Sequence, residues 1–199
     1  TERISAMQST LLLFFTLITS NFMGSILHEG GHALANLLQG GSVTLFYVHP
    51  FAFSGYVRPV VADTALTHVL GYGVGTLLPL VIFILIWKRR SISNLPLIML
   101  FAFGGAILSG IAMSQGYDVG NLVRLTRLPV SLFTALGILL IIAGIFFMLS
   151  TYPLLGLAPE NVKSLLVVPA AYFVQGIIGL LVAYLCIPGS DRKSTRLNS

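Results

Sequence analysis

Residues 26–41 read ILHEGGHALANLLQGG, an HExxH pattern (His28, Glu29, His32) set in an apolar segment that closes on Gly40-Gly41. On an α-helix, residues four apart share a face, so the His28 and His32 imidazoles can both reach one metal ion. Glu29 then projects about 60° round from His32. One helical turn supplies two metal ligands and a candidate general base. Whether that turn belongs to a soluble or a membrane helix decides the fold, and composition makes the choice.

The chain has 199 residues, 56% hydrophobic and 9% charged, with a mean hydropathy of +0.93. A soluble domain carries about a quarter charged residues, so an ordinary soluble enzyme is excluded and an integral, multi-pass membrane protein is expected. Apolar runs of about 20 residues recur, each long enough to cross a hydrocarbon core of about 30 Å. A signal peptide would contribute a single, shorter run. Spans are predicted at Met7 to Leu38, Thr67 to Trp87, Pro96 to Gln115, Leu132 to Tyr152 and Ser164 to Ile187. Gly71, Gly73, Gly75 and Pro79 in the second, and Gly104, Gly105 and Gly110 in the third, suit close helix packing. The expected fold class is an all-α polytopic membrane protein with about five transmembrane helices, forming a single domain over 1–190.

Between the first two spans the pattern changes. Val43, Thr44, Phe46, Tyr47 and Val48, a His49-Pro50 break, then Phe53, Tyr56 and Val57 predict a short β-hairpin over 42–58. Lipid cannot satisfy a strand edge, so the hairpin should lie in the interface or inside the bundle. The final nine residues, DRKSTRLNS (191–199), resemble a translated sequencing adapter and are expected not to be native. Without them the formal charge falls from +5 to +3. Cations beside spans mainly set orientation, so no nucleic-acid partner is implied. The lone Cys186 can form no intramolecular disulfide.

Projected at 100° per residue, Asn21, Ser25, His28, Glu29, His32, Asn36 and Gln39 fall on one arc of the first helix. In a membrane such a stripe should face the bundle interior or a water-filled cavity, and Asn36 and Gln39 are expected to line a water route. A catalytic zinc usually takes three protein ligands and keeps one position open. The other acidic residues before the tail are Glu2, Asp63, Asp118 and Glu160. Only Asp118 ends a span that runs parallel to the first and returns to the same depth, so Asp118 is the expected third ligand, with a helix cap or turn residue as the alternative. If the third helix continues that far, Ser114, Asp118 and Asn121 share a face. Asn121 is a candidate contact to substrate or transition state, or a simple turn cap. His49 and His68, in or beside loops, read as ordinary polar residues, and Gln175 as an interhelical hydrogen bond.

HEGGHALANLLQGG, the β segment after it, GYGVGTLLP at 71–79 and an Asp near the end of a later span resemble the site-2 protease family of intramembrane zinc metalloproteases, in particular its smaller bacterial peptidase M50B-like members. The likeness is concentrated in residues 20–85. It implies a Zn²⁺ cofactor held by His28, His32 and an Asp from a Leu-Asp-Gly motif, where this chain reads Tyr117-Asp118-Val119-Gly120. It further implies Glu29 as catalytic base, a membrane-protein or peptide substrate cut in or near its transmembrane segment, the lipid bilayer as surroundings and a bacterial cell-membrane location. An extended substrate segment is expected to pair with the hairpin by strand addition. The residues alone also leave open a metal-binding transporter or sensor, because histidines and carboxylates in spans mark ion pathways too, and an inactive pseudoprotease.

Overall fold

The computed structural model describes residues 6–48, 55–59, 64–115, 117–158 and, further on, 165–167, 169–171, 173, 174, 177, 178 and 181. Among the described residues, four helices are long and apolar enough to cross a membrane, at 7–38, 65–89, 92–114 and 130–155. Helix α1 (Ala6–Leu38) leads into strands β1 (Val43–Val48) and β2 (Gly55–Pro59), and α2 (Ala65–Ile86) returns. The third crossing is compound: α3 (Leu95–Met99), a π-helical stretch (Leu100–Ile107) and α4 (Leu108–Gln115). A short α5 (Tyr117–Thr126) and then α6 (Val130–Leu149) follow. This is the expected all-α bundle with a hairpin after its first helix. Of the predicted fifth span only scattered helical residues from 165 to 181 are described. Gln175, Cys186, the 191–199 tail, Glu2, Asp63, Glu160 and the His49-Pro50 break lie outside the described residues.

Local chemistry sets the boundaries nearest the HExxH turn. Helix α1 stops where Gly40 takes a positive φ of 76°. The Gly40 amide donates to the Leu37 carbonyl and the Gly41 amide to that of Asn36, each at 3.0 Å, the paired bonds of a Schellman ending. Helix α2 starts on Thr64, whose hydroxyl and backbone exchange hydrogen bonds with Thr67 in a capping box. The hairpin is antiparallel, with Phe46 opposite Val57 and Tyr47 opposite Tyr56, and an irregularity between Val43 and Leu45.

The third crossing is the axis of the bundle. Leu95, Met99, Phe103 and Leu108 are buried against Leu13 and Leu17 of α1 and Met148 of α6, with Tyr152 closing the cluster. Phe83, Phe101, Trp87 and Phe147 form an aromatic group at the far end of α2. Leu77, Ile84 and Leu85 of α2 and Leu139, Ile142 and Phe146 of α6 are exposed. Apolar side chains displayed along helices of membrane-spanning length are what a hydrocarbon solvent covers.

Backbones touch where the small residues are. A Cβ on Gly24 would lie 2.8 Å from the Gly104 carbonyl oxygen, and one on Gly104 would strike the Ser20 carbonyl. A Cβ on Gly73 would meet nothing within 4 Å. The predicted close-packing role therefore belongs to Gly104 and not to Gly73, which faces away from the neighbouring helices. Gly104→Val is expected to lower the thermal midpoint of the detergent-solubilised protein, an overpacking cost of about 1–3 kcal/mol. Gly73→Ala should leave it unchanged or slightly raised, because alanine is the better helix former. Thermal unfolding of the two variants checks both outcomes.

Candidate metal centre

Helix α2 lies against the histidine face of α1 because both helices are small there. A Cβ on Gly31 would strike the Leu70 carbonyl, one on Gly71 would lie 2.5 Å from His32 Cε1, and one on Gly75 would lie 3.3 Å from His28 Cα. This approach sets an i, i+4 pair on α2, His68 and Tyr72, opposite the i, i+4 pair on α1. The rings meet edge to face, with centroids 5.7 Å apart for His32 and His68 and 5.1 Å for His28 and Tyr72. The polar stripe predicted on α1 is turned inward: Asn21, Ser25, His28, Glu29, His32 and Asn36 are all buried.

Asp118 arrives from α5. Helix α4 is described to Gln115 and α5 from Tyr117, and Gly116 between them lies outside the described residues. The Ser114 hydroxyl donates to the Ile111 carbonyl at 2.8 Å. Asp118 is the second described residue of α5. His28 Nε2 lies 3.1 Å from Asp118 Oδ2 and 3.1 Å from His32 Nε2, and His32 Nε2 lies 3.4 Å from Oδ2. Tetrahedral coordination with bonds of 2.0–2.1 Å separates ligand atoms by about 3.3 Å. The three atoms thus form one face of such a tetrahedron and leave its fourth corner to something else.

Hydrogen bonding behind the triad decides which atoms point inward. His32 Nδ1 lies 2.9 Å from the Thr67 carbonyl, which can only accept, so Nδ1 carries the proton and Nε2 of the neutral ring is a bare lone pair. That lone pair faces the Oδ2 lone pairs of Asp118 at 3.4 Å. Two acceptors so close need a cation between them, a proton or a metal ion. On the other side His68 Nδ1 donates to Asp118 Oδ1 at 2.9 Å. Anchoring Oδ1 leaves Oδ2 for the shared centre, the usual way a protein aims a ligating carboxylate. Glu29 is 8% exposed and within electrostatic reach of His28, His32 and Asp118.

One expectation changes. His68 is not an ordinary loop-side polar residue: it is 3% exposed in the first turns of α2 and holds the Asp118 carboxylate. Asn36 and Gln39 make structural ties. The Asn36 amide donates to the Ser42 carbonyl, and Gln39 Oε1 accepts from the Thr64 hydroxyl at 2.9 Å, joining α1 to the hairpin and to the cap of α2. Asn121 is 8% exposed on α5 and its Oδ1 accepts from Arg124 at 3.3 Å. The signal for the missed residues was on α2: His68 and Tyr72 four apart, interleaved with Gly71 and Gly75 on the same face.

No protein-family model, curated protein or solved structure matches this chain.

The donor set, two neutral imidazoles and a carboxylate with convergent lone pairs, fits a divalent metal. His68→Ala is expected to weaken zinc binding about 10- to 100-fold while leaving the helices folded, as read by competition with a chelator of known affinity. Zinc binding unchanged in that variant would remove His68 from the site.

Proposed function

We propose that this chain is an intramembrane zinc metallopeptidase of the site-2 protease kind, which hydrolyses a peptide bond in or near a membrane span of its substrate. The observation that carries the reading is the convergence of His28 Nε2, His32 Nε2 and Asp118 Oδ2 beside a buried Glu29, among helices apolar enough to cross a membrane. The same donor set also suits Fe(II) chemistry. A carboxylate adjacent to the ligands but outside their triangle is what hydrolysis adds, since a base must take the proton of the attacking water.

A zinc ion held by His28, His32 and Asp118 supplies Lewis acidity, lowering the pKa of water and polarising a carbonyl. The chain's own residues do the rest. His28, His32 and Asp118 hold three corners of the site, while Thr67 and His68 fix the orientation of two of those groups. Glu29 accepts the proton released as water adds to the scissile carbonyl and returns it to the leaving nitrogen. The apolar helices around the turn limit access of bulk water, which strengthens each charge interaction inside. A helical substrate hides its carbonyls in hydrogen bonds, so the target segment must unwind before reaction. The hairpin, packed beside the C-terminal part of α1, offers strand edges on which an unwound segment can be held extended.

Glu29→Gln separates this reading from a metal transporter or sensor. The variant should retain zinc at the wild-type stoichiometry and lose cleavage by at least about 1,000-fold, the joint cost of losing base and acid catalysis. Cleavage by Glu29→Gln at the wild-type rate would refute the hydrolytic role. Zinc flux into vesicles that is indifferent to Glu29 would favour transport instead.

A further inference from the structure

The wall of the metal centre contains a polar atom that the hydrolytic scheme above does not use. Tyr72 is 5% exposed, and its hydroxyl is buried with no hydrogen-bond partner among the described residues. A buried hydroxyl left unpaired costs about 1–3 kcal/mol, and in a native structure each such group calls for a reason. The tyrosine ring is well used: one face packs in a cluster with Val119, Leu122 and Phe133, and the ring meets His28 at 5.1 Å. Phenylalanine would fill that space equally well without the penalty. The hydroxyl is therefore not explained by packing.

Its position is informative. Tyr72 follows His68 by one helical turn on the face that α2 turns toward the ligands, beside His28 as His68 is beside His32. Gly71 and Gly75 flank it and bring the α2 backbone against both histidines. The hydroxyl is within electrostatic reach of the Asp118 carboxylate without bonding to it.

We infer that the Tyr72 hydroxyl is a catalytic hydrogen-bond donor to the scissile carbonyl oxygen as that oxygen gains negative charge. This deepens the peptidase reading and rests on it. In the step, the water oxygen bonds to the carbonyl carbon, the C=O π pair moves onto the carbonyl oxygen, and Glu29 takes the proton lost by the water. Tyr72 donates a hydrogen bond to that oxygen and keeps its own proton. When the pair returns to re-form C=O, the C–N bond breaks and the nitrogen takes the proton from Glu29. A donor already aimed and desolvated needs no reorganisation as the charge develops.

The test uses the full chain in detergent, zinc-loaded, with a fluorophore–quencher peptide whose single apolar span is interrupted by Gly-Pro. Tyr72→Phe should lower kcat about 100-fold and leave KM within about twofold, since the bond strengthens only in the transition state. A phosphinic analogue of the cleaved peptide should bind the variant about 10- to 100-fold more weakly. Zinc content should not change, and the thermal midpoint should hold or rise because an unpaired hydroxyl has been removed. Wild-type kcat and analogue affinity in Tyr72→Phe would overturn the proposal, and so would a fall in midpoint and zinc content together, which marks a structural role. If the zinc-loaded wild type and Glu29→Gln prove equally inert, the peptidase reading fails and this inference with it. A wild type that cleaves, a dead Glu29→Gln and an unaffected Tyr72→Phe would sink this inference alone.

Discussion

Two lone pairs that face each other inside a lipid-embedded bundle need a positive charge between them, and the arrangement around α1 follows from that constraint. His32 cannot turn its protonated nitrogen inward, because that nitrogen is held by the Thr67 carbonyl. Asp118 cannot turn away, because its other oxygen is held by His68. In water such groups would be solvated individually. Among helices of this composition an uncompensated polar group is costly, so the groups either share a cation or destabilise the fold.

The glycines make this proximity possible. Gly31, Gly71 and Gly75 let α2 lie against the histidine face of α1, and Gly24 and Gly104 seat α1 directly on the central crossing. These contacts supply no apolar driving force of the kind that folds soluble proteins, since lipid is as apolar as leucine. They provide close fit, and the close fit sets the depth at which His68 and Tyr72 meet the site. The outer end of the polar stripe acts similarly through hydrogen bonds: Asn36 and Gln39 tie the hairpin and the cap of α2 to the end of α1. The candidate metal centre and the start of α2 therefore share one support. The Thr67 carbonyl that orients His32 belongs to the same residue that completes the capping box.

Much of this was legible in the sequence where the signal is local. The HExxH turn, the end of α1 at Gly40, the hairpin after it and the long apolar helices all follow from patterns shorter than a span. Asp118 could be nominated because parallel spans return to equal depth, an argument from topology alone. What depends on rotation about a helix axis was not legible: which face α2 turns inward separates Gly71 and Gly75 from Gly73 and raises His68 from a loop-side residue to a holder of the carboxylate. The π-helical stretch at Leu100–Ile107 lies in an apolar run with nothing to distinguish it from an α-helix.

The account stands on one centre built from His28, His32 and Asp118. X-ray absorption at the zinc edge of the purified, zinc-loaded full chain tests it most directly. The prediction is a nitrogen and oxygen shell at about 2.0–2.1 Å, outer-shell scattering from two imidazoles, and loss of that spectrum with the bound zinc in Asp118→Ala. A sulfur shell at about 2.3 Å, or a spectrum that Asp118→Ala leaves unchanged, would contradict it.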